Sequence, residues 1–361
     1  MPRVAGRIPT PETIDARWLT ELLRANGHAR ATVAGVQKER IGTGQIGKCI
    51  RFALDFEGDA DGAPRSLVGK FASDDPLSRE TGIQLGNYHR EIMFYRELAG
   101  RIPITKPRCY YADIEGRGAD FALLLEDMTP AVQGNQMAGC SIPIASAAVR
   151  ELVKLHASTW QDRSLLGKDW IEERTPEKGA LWREMYRGSL APFLARFAPV
   201  LADDEREIIA RVAESKGPPF AYPAEPWALV HIDFRLDNLL IDERVTPPRV
   251  AVVDWQSMVL MSPLSDLAYF MGASLLPEVR RPVERELVRE YHDGLVAAGV
   301  RAYDFAHCWN DYRRGAFAGF SVTVIASMLV QQTARGDEMF TTMARRHSRH
   351  AIDVDAREFL G

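Results

Sequence analysis

Five polar side chains of catalytic type fall within eight residues: His231, Asp233, Arg235, Asp237 and Asn238, in the run HIDFRLDN. Apolar runs frame them, WALV at 227–230 and LLI at 239–241. A surface turn of that polarity would have polar flanks, so these groups are presented from a core. A second apolar run, VAVV at 250–253, delivers another carboxylate, Asp254, at its end. Two strands of a hairpin would hold Asp233 and Asp254 side by side, and Asn238 follows Asp233 by five residues. An asparagine oxygen and the Asp254 carboxylate, near a third oxygen donor, make a hard-donor set of the kind that holds Mg²⁺ while leaving positions to water and substrate phosphates. The chemistry suggested is phosphoryl transfer.

The elements that must position these residues fall into two textures. The first 35 residues predict a short amphipathic helix, WLTELLRANG, capped by Thr10 or Thr13 and ending at Gly27. CIRFALDF at 49–56 alternates, with Ile50, Phe52, Leu54 and Phe56 on one face, and the polar turn EGDADGAPR joins it to a second strand, SLVGKFA at 66–72. Tyr88, Ile92, Tyr95 and Leu98 recur at helical spacing and predict a helix at about 84–99. Two more strands, CYYADI and FALLLEDM, follow. Residues 1–127 therefore read as a small antiparallel-sheet lobe with one embedded helix and an N-terminal helical extension, and 128–361 as a larger, mainly helical lobe. The fold class is α+β.

A chain of 361 residues exceeds the usual single core, which agrees with two lobes. Net charge is −4 without a long basic run, so no nucleic-acid partner is expected. The N-terminal residues show no apolar signal region, and the four scattered cysteines (Cys49, Cys109, Cys140, Cys308) fit free thiols in a reducing compartment. A soluble cytoplasmic protein is expected. Gly315–Thr333 carries no charge, but Ser321, Thr323, Ser327, Gln331, Gln332 and Thr333 make it too polar for a membrane span, so it reads as a buried helix and no membrane partner is expected.

His231, Asp233 and Asn238 satisfy H-x-D-x-x-x-x-N, and Asp254 stands where a metal-binding aspartate follows that loop. Here the chain resembles the aminoglycoside phosphotransferase, choline kinase and ecdysteroid-kinase-like branch of the protein-kinase-like fold, from about residue 35 onward. The resemblance implies a bilobal kinase-like architecture, ATP and Mg²⁺ as cofactors, and transfer of the γ-phosphoryl group to the hydroxyl of a small molecule. GTGQIG at 42–47 supplies Gly42, Gly44 and Gly47 as a phosphate-covering turn, and Lys70 with Glu91 supplies the pair that holds the α- and β-phosphates. FALLLEDM occupies the place of the interlobe hinge, with Glu126 and Met128 against the nucleotide base. Asp233 becomes the base that accepts the acceptor hydroxyl's proton late, with Asn238 and Asp254 on the metal. Arg235 either offsets γ-phosphoryl charge or pairs with Asp237 or another structural carboxylate. His156 reads as a satisfied core histidine, and Asp266 in SPLSDLAYF resembles the aspartate that braces the catalytic loop from behind.

Departures from the protein-kinase pattern narrow the acceptor. Ile232 replaces the arginine that would read a phosphorylated loop, Trp255–Gln256 replaces Phe-Gly, and no A-P-E or long regulated loop intervenes before SPLSDLAYF. A constitutively competent enzyme for a small molecule follows, rather than a protein kinase. The segments 128–145 and 180–199 are mostly apolar or basic, with Arg183, Arg187 and Arg196, which favours a neutral, hydrophobic or acidic hydroxyl compound over a polycationic aminoglycoside. A catalytically silent nucleotide-binding protein of the same fold is the rival from another class; the full set of catalytic residue types argues against it.

Overall fold

The computed structural model describes residues 8–42, 46–173, 175–217, 220, 225–330 and 332–361. The chain divides into two compact units. The first runs to Arg101, takes in Lys106–Pro130 and gains Asp254–Ser257 from far along the chain; the second comprises Ile102–Thr105, Ala131–Val253 and Met258–Gly361.

The first unit opens with α1 (Ala16–Ala25), which buries Leu19, Leu22 and Leu23. Its cap is Asp15, whose carboxylate accepts the Trp18 N–H at 2.8 Å, and not Thr10 or Thr13, which bond each other in a turn of their own. Strands β1 (Val33–Ile41), β2 (Gly47–Phe56) and β3 (Ser66–Ala72) follow. PLSRETGIQ forms α2 (Pro76–Gln84), a helix the sequence reading lacks because it has no apolar stripe and buries only Gly82. Its start is set locally: Asp75 accepts the Ser78 N–H at 2.8 Å and proline stands in the first turn. The helix expected at 84–99 is interrupted at Gly86, whose φ of +68° suits glycine, so that α3 spans Asn87–Met93 and widens into a π-helical turn at Phe94–Leu98. Strands β4 (Cys109–Ile114) and β5 (Phe121–Glu126) complete an antiparallel sheet of order β1-β2-β3-β5-β4. Phe52, Leu54, Leu67, Phe71, Tyr110, Tyr111, Ala122 and Leu124 form its core together with the buried face of α1.

The second unit is mainly helical. In chain order it holds β6 (Val132–Gln133), α4 (Ile142–Ser158), β7 (Glu172–Glu173), α5 (Pro176–Phe197), α6 (Asp203–Glu214), β8 (Ala228–Val230), β9 (Leu239–Asp242), β10 (Arg249–Val252) and β11 (Val259–Met261). Then come α7 (Leu264–Ser274), α8 (Pro277–Ala297), α9 (Phe305–Gly315), the short α10 (Ala318–Ser321), α11 (Ser327–Leu329) and α12 (Ala334–Asp353). Strands β9 and β10 form a hairpin with Val252 opposite Leu239, and β8 pairs with β11. Every residue of α7 is buried, which makes it the axis of the unit. The uncharged stretch after Gly315 is not the single helix expected: α10, a π-helical turn at Val322–Ala326 and α11 succeed one another. Among the described residues no helix is long and apolar enough to cross a membrane.

Candidate functional site

In the first unit, β1 and β2 pair antiparallel with Ile41 opposite Cys49. Gly42 takes φ +72°. Gly44 lies outside the described residues. Gly47 opens β2, where a Cβ would stand 3.0 Å from the Phe71 carbonyl oxygen and 3.3 Å from Lys70 Cε, so a side chain there would press on the lysine. The Tyr88 phenol donates to the Ile46 carbonyl at 2.6 Å and anchors the end of the turn to α3.

Across β2 and β3, Cys49 faces Lys70. Lys70 Nζ lies 2.7 Å from Glu91 Oε2 and 2.7 Å from Asp254 Oδ1. Burial opposes its charge, but the Asp254 and Glu91 carboxylates outweigh burial and hold the ammonium above the ordinary lysine range. Glu91 is pushed upward by burial despite Lys70, and burial raises the Cys49 thiol to about 11. With both carboxylates ionised, one ammonium leaves the cluster one negative charge in excess, an environment suited to a further cation. Glu91 Oε1 also accepts the Trp255 N–H at 3.3 Å. Trp255 is buried and stacks on Phe94 with ring centroids 4.1 Å apart, while the Gln256 carbonyl accepts from Asn87 at 3.2 Å and Arg90 at 2.7 Å. These bonds hold Asp254 at φ +68°, a conformation that non-glycine residues adopt at a cost.

Glu126 and Met128 lie at the end of β5 and just beyond it. Glu126 and Arg108 bond reciprocally, Glu126 N–H to the Arg108 carbonyl at 2.8 Å and Arg108 N–H to Glu126 Oε2 at 3.1 Å. Asp127, between them, accepts from Arg51 Nε at 2.7 Å, Ser66 Oγ at 2.8 Å and Thr129 Oγ1 at 2.7 Å. Burial opposes its charge, but these donors prevail and hold it down at about 2.

In the second unit, the turn after β8 carries His231 to Asn238. Asp266, fully buried on α7, accepts the N–H groups of His231 at 2.6 Å and Ile232 at 2.8 Å, and so holds Ile232 at φ +71°. His231 Nε2 bonds the Val253 carbonyl at 3.0 Å, and the Val253 N–H donates to the Asn238 carbonyl at 3.0 Å. The turn is thereby tied to the residue immediately before Asp254. Asp233 Oδ1 accepts from Arg235 Nε at 2.9 Å and from the Tyr269 phenol at 3.0 Å, and Oδ2 accepts from Asn238 Nδ2 at 2.8 Å. Because Asn238 Nδ2 also donates to the Asp233 carbonyl at 2.8 Å, the amide oxygen is the atom Asn238 presents elsewhere, a hard donor that fits Mg²⁺. Arg235 pairs with both Asp233 and Asp237. Burial opposes its charge, and the Asp233 carboxylate raises its pKa above the ordinary arginine value.

The structure thus groups Lys70, Glu91 and Asp254 in one cluster and Asp233, Arg235 and Asn238 in another. His156 is buried and bonds Tyr291 at 2.8 Å and Asp266 at 3.4 Å, a core residue that also steadies the carboxylate bracing the loop. Two participants escaped sequence reasoning. Tyr269 touches the Asp233 carboxylate, and the available signal was its place one helical turn beyond Asp266. Gln136 is buried, its side chain accepting the Leu236 N–H at 3.0 Å and donating to the Ala273 carbonyl at 2.7 Å. Within the segment 128–145, β6 pairs with β9 and Gly134 packs on the loop, where a Cβ would meet the Leu236 carbonyl oxygen at 2.6 Å. The charge argument on α5 also changes. Arg187 bonds Glu184 and the Ala213 carbonyl, Arg196 pairs with Asp337, and Arg183 reaches the Lys216 carbonyl and the Phe220 ring. These arginines are engaged in packing, so they do not argue against a cationic acceptor.

A model of the ecdysteroid kinase-like family matches residues 42–301. Among curated proteins, acyl-CoA dehydrogenase family member 11 of Gallus gallus is 26% identical over 186 residues, 46% of this chain; the chain spans only 20% of that protein's length. Among solved structures, a Ralstonia eutropha protein assigned as an aminoglycoside phosphotransferase superposes with a TM-score of 0.53 at 16% identity, covering 92% of this chain and 98% of its own. Choline kinase from Cryptosporidium parvum gives 0.52 at 10% identity, covering 95% and 96%. The GDP complex of aminoglycoside 2'-phosphotransferase-IIIa gives 0.52 at 14% identity, covering 91% and 98%. These likenesses establish the protein-kinase-like fold.

Proposed function

The chain belongs to the ecdysteroid kinase-like family, and on that premise we propose that it is an ATP-dependent small-molecule kinase that phosphorylates a hydroxyl group. The observation that carries the reading is Lys70 held at 2.7 Å from both Glu91 and Asp254, the cluster that an enzyme of this fold needs to meet nucleotide phosphates. Lys70, with the backbone at Gly42 and Gly47, holds the phosphates, with Glu126 and Met128 toward the base. Asn238 and Asp254 would hold Mg²⁺, which would supply positive charge against that of the nucleotide phosphates. Asp233, oriented by Asn238, Arg235 and Tyr269, accepts a hydrogen bond from the acceptor hydroxyl and takes its proton late, because a loose transition state asks little prior deprotonation. Arg235 lies beside that carboxylate and offsets its charge as well as that of Asp237. Competence without phosphorylation is supported by Ile232 in place of an arginine and by the anchoring of Trp255 and Gln256 to α3.

The acceptor is a small, neutral or hydrophobic alcohol. With the α5 arginines engaged elsewhere, support for it rests on what surrounds the base: the Tyr269 ring, and Met339, whose sulfur lies 3.5 Å from Arg235 Nη1. Burial of an apolar acceptor against such groups contributes about 25 cal/mol per Å². The test is a coupled ADP assay with Mg²⁺-ATP over benzyl alcohol, cholesterol, choline and kanamycin, with Asp233→Asn as control. Faster turnover of the apolar alcohols, abolished in the variant, is expected. A higher specificity constant for kanamycin would overturn the acceptor class, and an Asp233→Asn enzyme with full turnover would overturn the mechanism.

A further inference from the structure

We propose that Tyr269 is a positioning residue for the base: its phenol occupies one lone pair of Asp233, so that the acceptor hydroxyl can approach only the Oδ2 edge of the carboxylate. The inference rests on the kinase reading above and specifies how that site chooses its proton-accepting atom.

A carboxylate offers about four lone-pair positions. On Asp233, Oδ1 takes Arg235 Nε at 2.9 Å and the Tyr269 hydroxyl at 3.0 Å, which fills it, and Oδ2 takes Asn238 Nδ2 at 2.8 Å, which leaves one position. Three donors from two elements also stop the carboxylate from rotating about χ2. Tyr269 is buried, and burial followed by the Asp233 charge pushes its phenol well above its ordinary pKa, so it remains a donor at every working pH.

The phenol is itself held from behind. Its ring stacks on His347 of α12 with centroids 5.2 Å apart and planes at 22°. Among the described residues neither ring nitrogen of His347 finds a hydrogen-bond partner, and burial lowers its pKa to about 3, so the ring is a neutral aromatic slab. Glycines make room for it: a Cβ on Gly319 would lie 2.2 Å from His347 Cε1, and one on Gly272 would lie 2.7 Å from Nδ1. A histidine accepted without partners, in a space kept by two glycines, has one visible consequence here, the fixed plane of the Tyr269 ring.

The experiment compares wild type, Tyr269→Phe, Asp233→Asn and Tyr303→Phe. Tyr303 donates to Asp311 at 2.9 Å elsewhere in the same unit and controls for the loss of a phenol–carboxylate bond as such. Each protein is assayed with Mg²⁺-ATP and the best alcohol of the panel above, and with water alone as acceptor, alongside Mg²⁺-ATP calorimetry and thermal melting. Expected for Tyr269→Phe is a kcat about tenfold lower, the size of one hydrogen bond to a charged group. Its acceptor KM, Mg²⁺-ATP affinity and melting temperature stay near wild type, and a larger share of ADP arises from hydrolysis because the freed lone pair accepts water. Tyr303→Phe keeps wild-type kcat. Tyr269→Phe with wild-type kcat and coupling, beside an inert Asp233→Asn, would overturn this inference and leave the kinase reading standing, as would equal losses in both phenol variants. Wild-type protein that turns over neither alcohol nor water, or an Asp233→Asn enzyme that remains active, would remove the kinase reading and this inference with it.

Discussion

Replacing Lys70 by methionine separates the structural from the catalytic part of the buried cluster. At 2.7 Å from each carboxylate, and with an effective dielectric of 20, each attraction is worth about 6 kcal/mol before the cost of burying the charges is counted. Desolvation offsets much of this, and deleting one partner of a buried pair typically costs about 3 to 5 kcal/mol because the other charge is left uncompensated. Glu91, the more buried carboxylate at 2% side-chain exposure against 27% for Asp254, bears that loss. Its pKa is already raised by burial, and without the ammonium the bond from the Trp255 N–H is left to oppose the rise. The folded variant then binds a proton more readily than the unfolded chain. Its penalty is therefore absent below the unfolded value near 4.5 and grows as pH rises. Urea unfolding of Lys70→Met from pH 4.5 to pH 8 is expected to show a deficit widening toward about 3 to 5 kcal/mol. Adding Glu91→Gln should recover most of the stability and none of the turnover, since the uncharged amide no longer needs a counter-ion but the phosphates still do. A deficit below about 1 kcal/mol at pH 8 would mean a pair no stronger than an exposed one and refute the energetic argument. Turnover within a few-fold of wild type in Lys70→Met would remove Lys70 from the phosphates.

Other perturbations probe the remaining contacts. Asp254→Ala removes the carboxylate proposed for the metal, so Mg²⁺-dependent ATP binding in calorimetry and turnover should vanish together, while ATP binding without Mg²⁺ changes little. Asp266→Asn turns a double acceptor of the His231 and Ile232 amides into a poorer one; about 1 to 3 kcal/mol of stability and at least tenfold in turnover should be lost, and an unchanged kcat would free the loop from its dependence on α7. Asp127 is held at about 2 by Arg51, Thr129 and Ser66, below its ordinary value of 3.8, so its contribution is complete above that value and is lost as pH falls toward 2. Asp127→Asn should flatten the acid limb of a thermal-denaturation profile in that window, and an unaltered limb would contradict it.

Local chemistry was legible in the residues themselves. H-x-D-x-x-x-x-N is a short-range pattern, and a turn of that length brings Asn238 onto Asp233 wherever the loop forms. Strand alternation in 49–56, the glycine turn before it and the helical spacing of Tyr88, Ile92, Tyr95 and Leu98 likewise depend on neighbours a few residues away. Even there, the π-helical turn after Met93 and the break at Gly86 left no mark in the apolar period, because all four side chains stay buried on either side of the irregularity.

What crosses long stretches of chain was decided by packing. Nothing in the spacing of Lys70 and Asp254, 184 residues apart, requires their charges to meet; the sheet and the return of Asp254–Ser257 to the first unit bring them together. Arg183, Arg187 and Arg196 read as free positive charge, yet Arg187 and Arg196 meet Glu184 and Asp337 and all three reach backbone carbonyls, because a long guanidinium side chain bonds the acceptors that the tertiary fold brings within its reach. Tyr269 shows the same division. Its helix could be inferred from SPLSDLAYF, but a phenol lies against a carboxylate 36 residues away only because α7 is buried on all sides and His347, admitted by two glycines, sets the plane of its ring. Sequence determined which groups were available and which close neighbours would meet; burial of whole helices, which fixes orientation through contacts from every side at once, decided which atom each group would face.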